Sequence, residues 1–116
     1  MPIAVTAQEA FENRVGNTFP EVIAKPFYRS LYFGSPPARG GNADEKKKAM
    51  PQAYLIEQPA NSEVAAHFHD TNQFQVFVHG KGAFGKKPFD GVMVHYAKAH
   101  TTYGPISAGD DGAHYM

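Results

Sequence analysis

The chain has 116 residues, eleven basic against eleven acidic side chains, and no cysteine. That length forms one domain with a real core but not two, and the balanced charge offers no handle for nucleic acid or an anionic membrane surface. The missing thiol excludes disulfides, thiolate ligands and a cysteine nucleophile, so His, Asp, Glu, Gln and Tyr are left to carry any chemistry. No apolar run approaches the roughly 20 residues that span a bilayer. The N-terminus also lacks the basic region and apolar stretch of a secretory signal, so a cytoplasmic protein is expected.

Eleven glycines and nine prolines cut the chain into short apolar runs, the pattern of a turn-rich β fold. Thr6-Ala7-Gln8-Glu9 has the form of a capping box, followed by a weak apolar face at Ala10, Phe11 and Val15. It predicts one short helix ending near Gly16. Pro26 to Phe33 reads as an aromatic-rich strand. Gly34 to Met50, with Pro36-Pro37, Gly40-Gly41 and the charged run Asp44 to Lys48, reads as a long loop and candidate lid. Lys46 to Lys48 are taken as solvated charge. Strands are expected at Gln52 to Gln58, Val64 to His69, Gln73 to His79, Ala83 to Lys86, Val92 to Tyr96 and Ala113 to Met116. Turn residues at Asn61, Gly80, Gly82, Asp90-Gly91 and Gly109 separate them, which indicates an antiparallel sandwich or barrel. In the strand from Gln73, the apolar residues Phe74, Val76 and Val78 are assigned to the buried face.

The sharpest signal is His67-Phe68-His69-Asp70-Thr71-Asn72-Gln73. Alternate residues of a strand share a face, so His67 and His69 project together, and paired imidazoles are common ligands of divalent metals. Counting outwards, Asn61 is followed by five residues, His67-x-His69, three residues, Gln73, six residues and Gly80. This arrangement resembles the first motif of the cupin superfamily: glycine, five residues, His-x-His, three or four residues, glutamate, six residues, glycine. Asn61 stands at the first glycine, a mild change because Asn tolerates left-handed backbone. Gln73 stands at the glutamate and removes a negative charge. The second cupin motif, Pro-x-Gly-x-x-His with a later asparagine, keeps only its histidine when aligned on His100. His95, Ala97 and Gly104 occupy its other positions. The run His100-Thr101-Thr102-Tyr103-Gly104-Pro105 is similar to a His-Thr-x-Tyr-Gly-Pro segment of uncharacterised bacterial cupins. The resemblance covers residues 55 to 116.

It implies a small all-β jelly-roll barrel with one short N-terminal helix, a single domain over residues 1–116, and one divalent ion held by His67, His69, Gln73 and His100. Iron, manganese, nickel and zinc all suit such nitrogen and oxygen donors. All four ligands are neutral, so the ion would favour an anionic partner such as an enolate or carboxylate and would act as a Lewis acid, water activator or electron conduit. His95, Tyr96 and Tyr103 are the candidate catalytic proton-transfer groups. Two readings follow. One is a metal-dependent enzyme, of dioxygenase or lyase/isomerase type, acting on a small oxygenated molecule. The other is a non-catalytic binding or sensing module with a structural metal or none. The resemblance further implies a homodimer, with Pro26 to Phe33 extending the partner's sheet.

Overall fold

A computed structural model describes residues 4–20, 22–34 and 51–116, with residue 19 by its backbone alone. The expected loop over 34–50, with its lysine run, lies outside the described residues except for Gly34. The protein is mostly antiparallel β-sheet with one short helix, α1 (Ala7–Glu12). The capping box forms as its residues demand. Thr6 Oγ1 accepts from the Glu9 backbone N–H at 3.2 Å, and the Glu9 carboxylate accepts from the Thr6 N–H at 2.8 Å. The helix stops before Gly16 because the chain has already entered a strand the sequence did not reveal, β1 (Val15–Phe19).

The other strands are β2 (Ile23–Phe33), β3 (Ala53–Gln58), β4 (Glu63–Val64), β5 (Gln73–Phe84), β6 (Lys87–Asp90), β7 (Met93–Ala97) and β8 (Ile106–Tyr115). All eight join one sheet in the order β1-β2-β3-β8-β5-β6, with β4 bonded to β2 and β8, and β7 to β5. β2 is paired with β1 as far as Arg29 on one side and with β3 and β4 on the other, so along Ser30 to Phe33 its pairing among the described residues is to β3 alone.

Two expected strands prove to be one. β5 runs unbroken through Gly80 and Gly82, and the turn comes at Gly85 and Lys86. Both glycines mark a close main-chain approach to β8 instead. A Cβ on Gly80 would collide with the Gly112 carbonyl, and one on Gly82 with that of Ser107. The register of β5 against β8 shifts between Phe77 and His79 and again between Gly80 and Gly82. The expected strand Val64 to His69 is mostly irregular, yet its register persists. Glu63 faces Ser107, Val64 faces Ile106, and an isolated bridge joins His67 to Tyr103.

The core gathers Ile23, Val64, Phe77, Phe89, Ala97, Tyr103, Ile106, Ala108, Ala113 and Tyr115. The face of β5 is opposite to the one expected. Gln75 and Phe77 are buried, at 8% and 0% exposure, while Phe74 and Val78 stand out at 68% and 48%. Phe77 packs against Phe84, Phe89 and Tyr115. The buried Gln58 is fully partnered: its amide donates to the Ser62 and Ile106 carbonyls at 3.1 and 2.9 Å and accepts from the Tyr115 hydroxyl at 3.2 Å.

Two expectations follow. Phe77→Ala removes the most buried aromatic and should lower unfolding free energy by about 3–5 kcal/mol in urea titrations. The second concerns acid. His79 and His114 face each other across β5 and β8 with ring centroids 4.8 Å apart. Burial, helped by His79 and opposed by Glu57, holds the His114 pKa below its usual 6.5. Burial also lowers His69 and His95. The unfolded chain therefore binds protons first as pH falls. Stability is full above about 6.5 and is lost below it. Urea midpoints should drop between pH 7.5 and 5, and the drop should be smaller in His114→Gln. An unchanged slope in that variant would contradict the assignment.

Candidate functional site

The histidine pair meets the sheet through the bridge to Tyr103. His67 N–H donates to the Tyr103 carbonyl at 3.1 Å and Tyr103 N–H to that of His67 at 3.0 Å. The two side chains therefore stand on one face, with ring centroids 4.8 Å apart. β5 adds Gln73 and Gln75 to that face, and β7 adds His95, whose register partner is Gln75. As the sequence suggested, His95 shares a face with Met93.

These side chains form one directed hydrogen-bond chain. His67 Nδ1 lies 2.7 Å from the Ala65 carbonyl, which only accepts, so Nδ1 carries the proton and Nε2 of the neutral ring accepts. Tyr103 Oη lies 3.0 Å from that Nε2 and donates to it. The same phenol oxygen accepts from the amides of Gln73 at 2.8 Å and Gln75 at 3.3 Å. The Gln75 carbonyl oxygen in turn accepts from His95 Nδ1 at 3.3 Å, leaving Nε2 as that ring's basic atom. Phe84 stacks on Tyr103 and packs at a tilt against His95, at 5.8 and 4.4 Å between centroids, and forms the apolar wall.

Burial shifts three members of the site away from their charged forms. Burial raises the Tyr103 pKa, against the two amide hydrogen bonds that lower it, so the phenol holds its proton. Burial lowers His95. His69 is exposed by surface area, yet enough protein crowds its ring to lower its pKa, with His67 adding to the shift and Asp70 opposing it.

The structure brings together His67, His69, Gln73, His95 and Tyr103. It does not bring His100 to them. Alternation sends Phe68 to the side opposite His67 and His69, and His100 lies near Phe68, at 6.0 Å between centroids. His100 sits in a turn with φ 62°, its N–H donating to the His69 carbonyl at 2.8 Å. The position beside the histidine pair is Tyr103 instead, because the β4–β8 register carries through to it. Tyr96 also stays away: it is 52% exposed and packs on Phe74 at 5.0 Å on the far side of the hairpin. Gln75 is the participant the sequence reading missed. Its place two residues from Gln73 on one strand was the available signal.

Comparison with known proteins returns no match among family models, curated proteins or solved structures.

Among the described residues no three His, Asp or Glu side chains gather into a ready ion-binding group. The donors that do converge are two imidazoles and an amide. The His67 and His69 rings are edge-on at 82°, with centroids 5.0 Å apart. Two imidazoles bound through nitrogen at about 2.0 Å to one tetrahedral ion have centroids roughly 5 Å apart. His67 is also held by its Nδ1–H on a carbonyl, the orientation that metal-bound histidines use. His67, His69 and Gln73 therefore fit a divalent ion, provided the Tyr103 hydroxyl gives up His67 Nε2.

Tyr103→Phe would strip the partner from two amides and an imidazole. It should destabilise the protein by about 1–3 kcal/mol, whereas Tyr96→Phe should change stability by less than about 0.5 kcal/mol. Equal effects in denaturant titrations would contradict the hydrogen-bond chain.

Proposed function

We propose that this chain is a cupin-type, jelly-roll enzyme that carries out proton-transfer chemistry of the lyase or isomerase kind on a small oxygenated molecule. One divalent ion would be held by His67, His69 and Gln73. The observation that carries this reading is the chain from His95 through Gln75 and Tyr103 to His67, which places a protonated phenol and a neutral imidazole base on one wall beside the histidine pair. Dioxygenation needs open metal positions but no such acid and base. A lyase or isomerase needs both.

When bound, the ion would supply Lewis acidity toward an anionic oxygen of the substrate. The chain's own groups do the rest. Gln73 and Gln75 hold the Tyr103 oxygen in place, and its proton is available at Oη for a substrate oxygen once His67 turns to another partner. Gln75 fixes the His95 tautomer with Nδ1 protonated, so Nε2 is the atom that takes a proton from substrate carbon or oxygen. Phe84 keeps water off one side of both rings. Because the cluster's own side chains include no carboxylate, an anionic substrate meets no like charge among them.

A second reading has its own support. In the chain as it stands, Tyr103 saturates His67 Nε2, so the polar network is complete without an ion, as a metal-free binding module requires.

Metal content by mass spectrometry separates the two. We expect close to one ion per chain in the native protein, loss in His67→Ala/His69→Ala, and retention in His100→Ala. Hydrogen exchange into a panel of 1,3-dicarbonyl and 2-oxo acid compounds in D2O, followed by NMR, should then fall about 100-fold or more in Tyr103→Phe and His95→Gln. Absence of metal after reconstitution would give the binding module the lead. Loss in His100→Ala equal to that of the double variant would overturn the three-donor set.

A further inference from the structure

A second pair of imidazoles meets on the face of the sheet opposite to the His67–Tyr103 cluster. His79 of β5 stands across from His114 of β8, with ring centroids 4.8 Å apart and planes at 45°. Plain alternation would send His79 the other way. Phe77 faces the core, and on a regular strand a residue two positions later would follow it inward. The register shifts between them: Phe77 pairs with Tyr115 and His79 with His114, so β5 advances two residues while β8 advances one. Tyr115 is buried against Phe77, its neighbour His114 points to the opposite face, and the bulge at Val78 turns His79 out to meet it. Re-aiming a side chain is a common use of a bulge.

β3 adds a carboxylate to the same row. Glu57 is the register partner of His114, so Glu57, His114 and His79 cross three adjacent strands on one face. The Glu57 carboxylate meets Arg14 Nη1 at 3.3 and 3.5 Å, long for a charge-assisted pair. Arg14 also lies over the Phe11 and Tyr28 rings, at 4.2 and 4.3 Å to the centroids, and keeps those contacts when Glu57 turns away.

We propose that His79, His114 and Glu57 form a second divalent-ion site, of the zinc class, that clips β5, β8 and β3 together. Two imidazoles bound through nitrogen at about 2.0 Å, with ligand angles of about 90–110°, have centroids roughly 4.5–5 Å apart. The observed 4.8 Å lies in that range. Imidazole and carboxylate donors without thiolate suit zinc, nickel and copper(II), and burial favours the uncharged, ion-binding form of His114. His79 borders an open cleft of about 330 Å³ that also holds Asp90, Asp111 and Lys81. A hydrated ion reaches the pair through it, past two carboxylates and one ammonium. His79 is exposed and Glu57 must leave Arg14 to complete the set. The site therefore fills when zinc is supplied at micromolar concentration and adds little to the ion content of the protein as purified.

Zinc chloride titrated into the native protein should move the ring-proton NMR signals of His79 and His114 and leave those of His100 in place. That outcome does not depend on whether His67 and His69 hold an ion. In the His67→Ala/His69→Ala background, calorimetry should show one zinc per chain. Adding His79→Gln/His114→Gln should weaken this binding by about 10-fold or more, since even residues that only support a metal ligand act on that scale. Glu57→Gln should weaken it by a similar factor. His79 and His114 signals that stay in place, or zinc binding that survives His79→Gln/His114→Gln, would overturn the site. Unchanged affinity in Glu57→Gln would overturn its third donor.

Discussion

β5 is hydrogen-bonded on both sides, to β8 along one and to β7 and then β6 along the other. A strand held in this way cannot slip by one residue without sending every side chain to the wrong face of the sheet. Its pleat therefore decides the character of both surfaces. Phe77 anchors the choice. It is fully buried against three other aromatic rings, and this burial outweighs the exposure of Phe74 and Val78. Once Phe77 points inward, Gln73 and Gln75 must follow it, and the polar cluster acquires two amides it could not otherwise reach.

Burying polar groups beside that aromatic core is tolerable only because they satisfy one another. Tyr103 is the junction. It accepts from two amides and donates to one imidazole, using its hydrogen-bonding capacity fully. The Gln58 amide performs the same task between β3 and β8. Among the described residues no buried side-chain nitrogen or oxygen lacks a partner. A network closed in this way keeps its members in fixed tautomers, and a proton-transfer site needs that same property.

Much of this was legible in the sequence, where the governing rule is local. The capping box at Thr6, the shared face of His67 and His69, and the common face of His95 and Met93 all follow from spacing along one element. What could not be read depends on pairing between elements. β1 contains Gly16 and Asn17, poor strand formers taken alone, and it exists because β2 offers an edge to pair with. The glycines at 80 and 82 look like turns in one dimension and prove to be contact points between β5 and β8. His100 and Tyr103 lie three residues apart, beyond an irregular turn, so no alternation rule says which one reaches His67. The register of β4 against β8, some forty residues apart in the chain, makes that decision.

The inverted assignment of β5 is the most instructive of these failures. Phe74, Val76 and Val78 are more apolar together than Gln73, Gln75 and Phe77, so apolar content alone selects the outward face. The rule assumes that only a core needs apolar residues and only water needs polar ones. On this hairpin neither assumption holds. The interior carries a polar network that one phenol ties together, and the exterior carries exposed apolar pairs. A sequence whose hydrophobic face points the wrong way is therefore informative in itself: when the interior pays for polarity with complete hydrogen bonding, both of its faces are candidates for function.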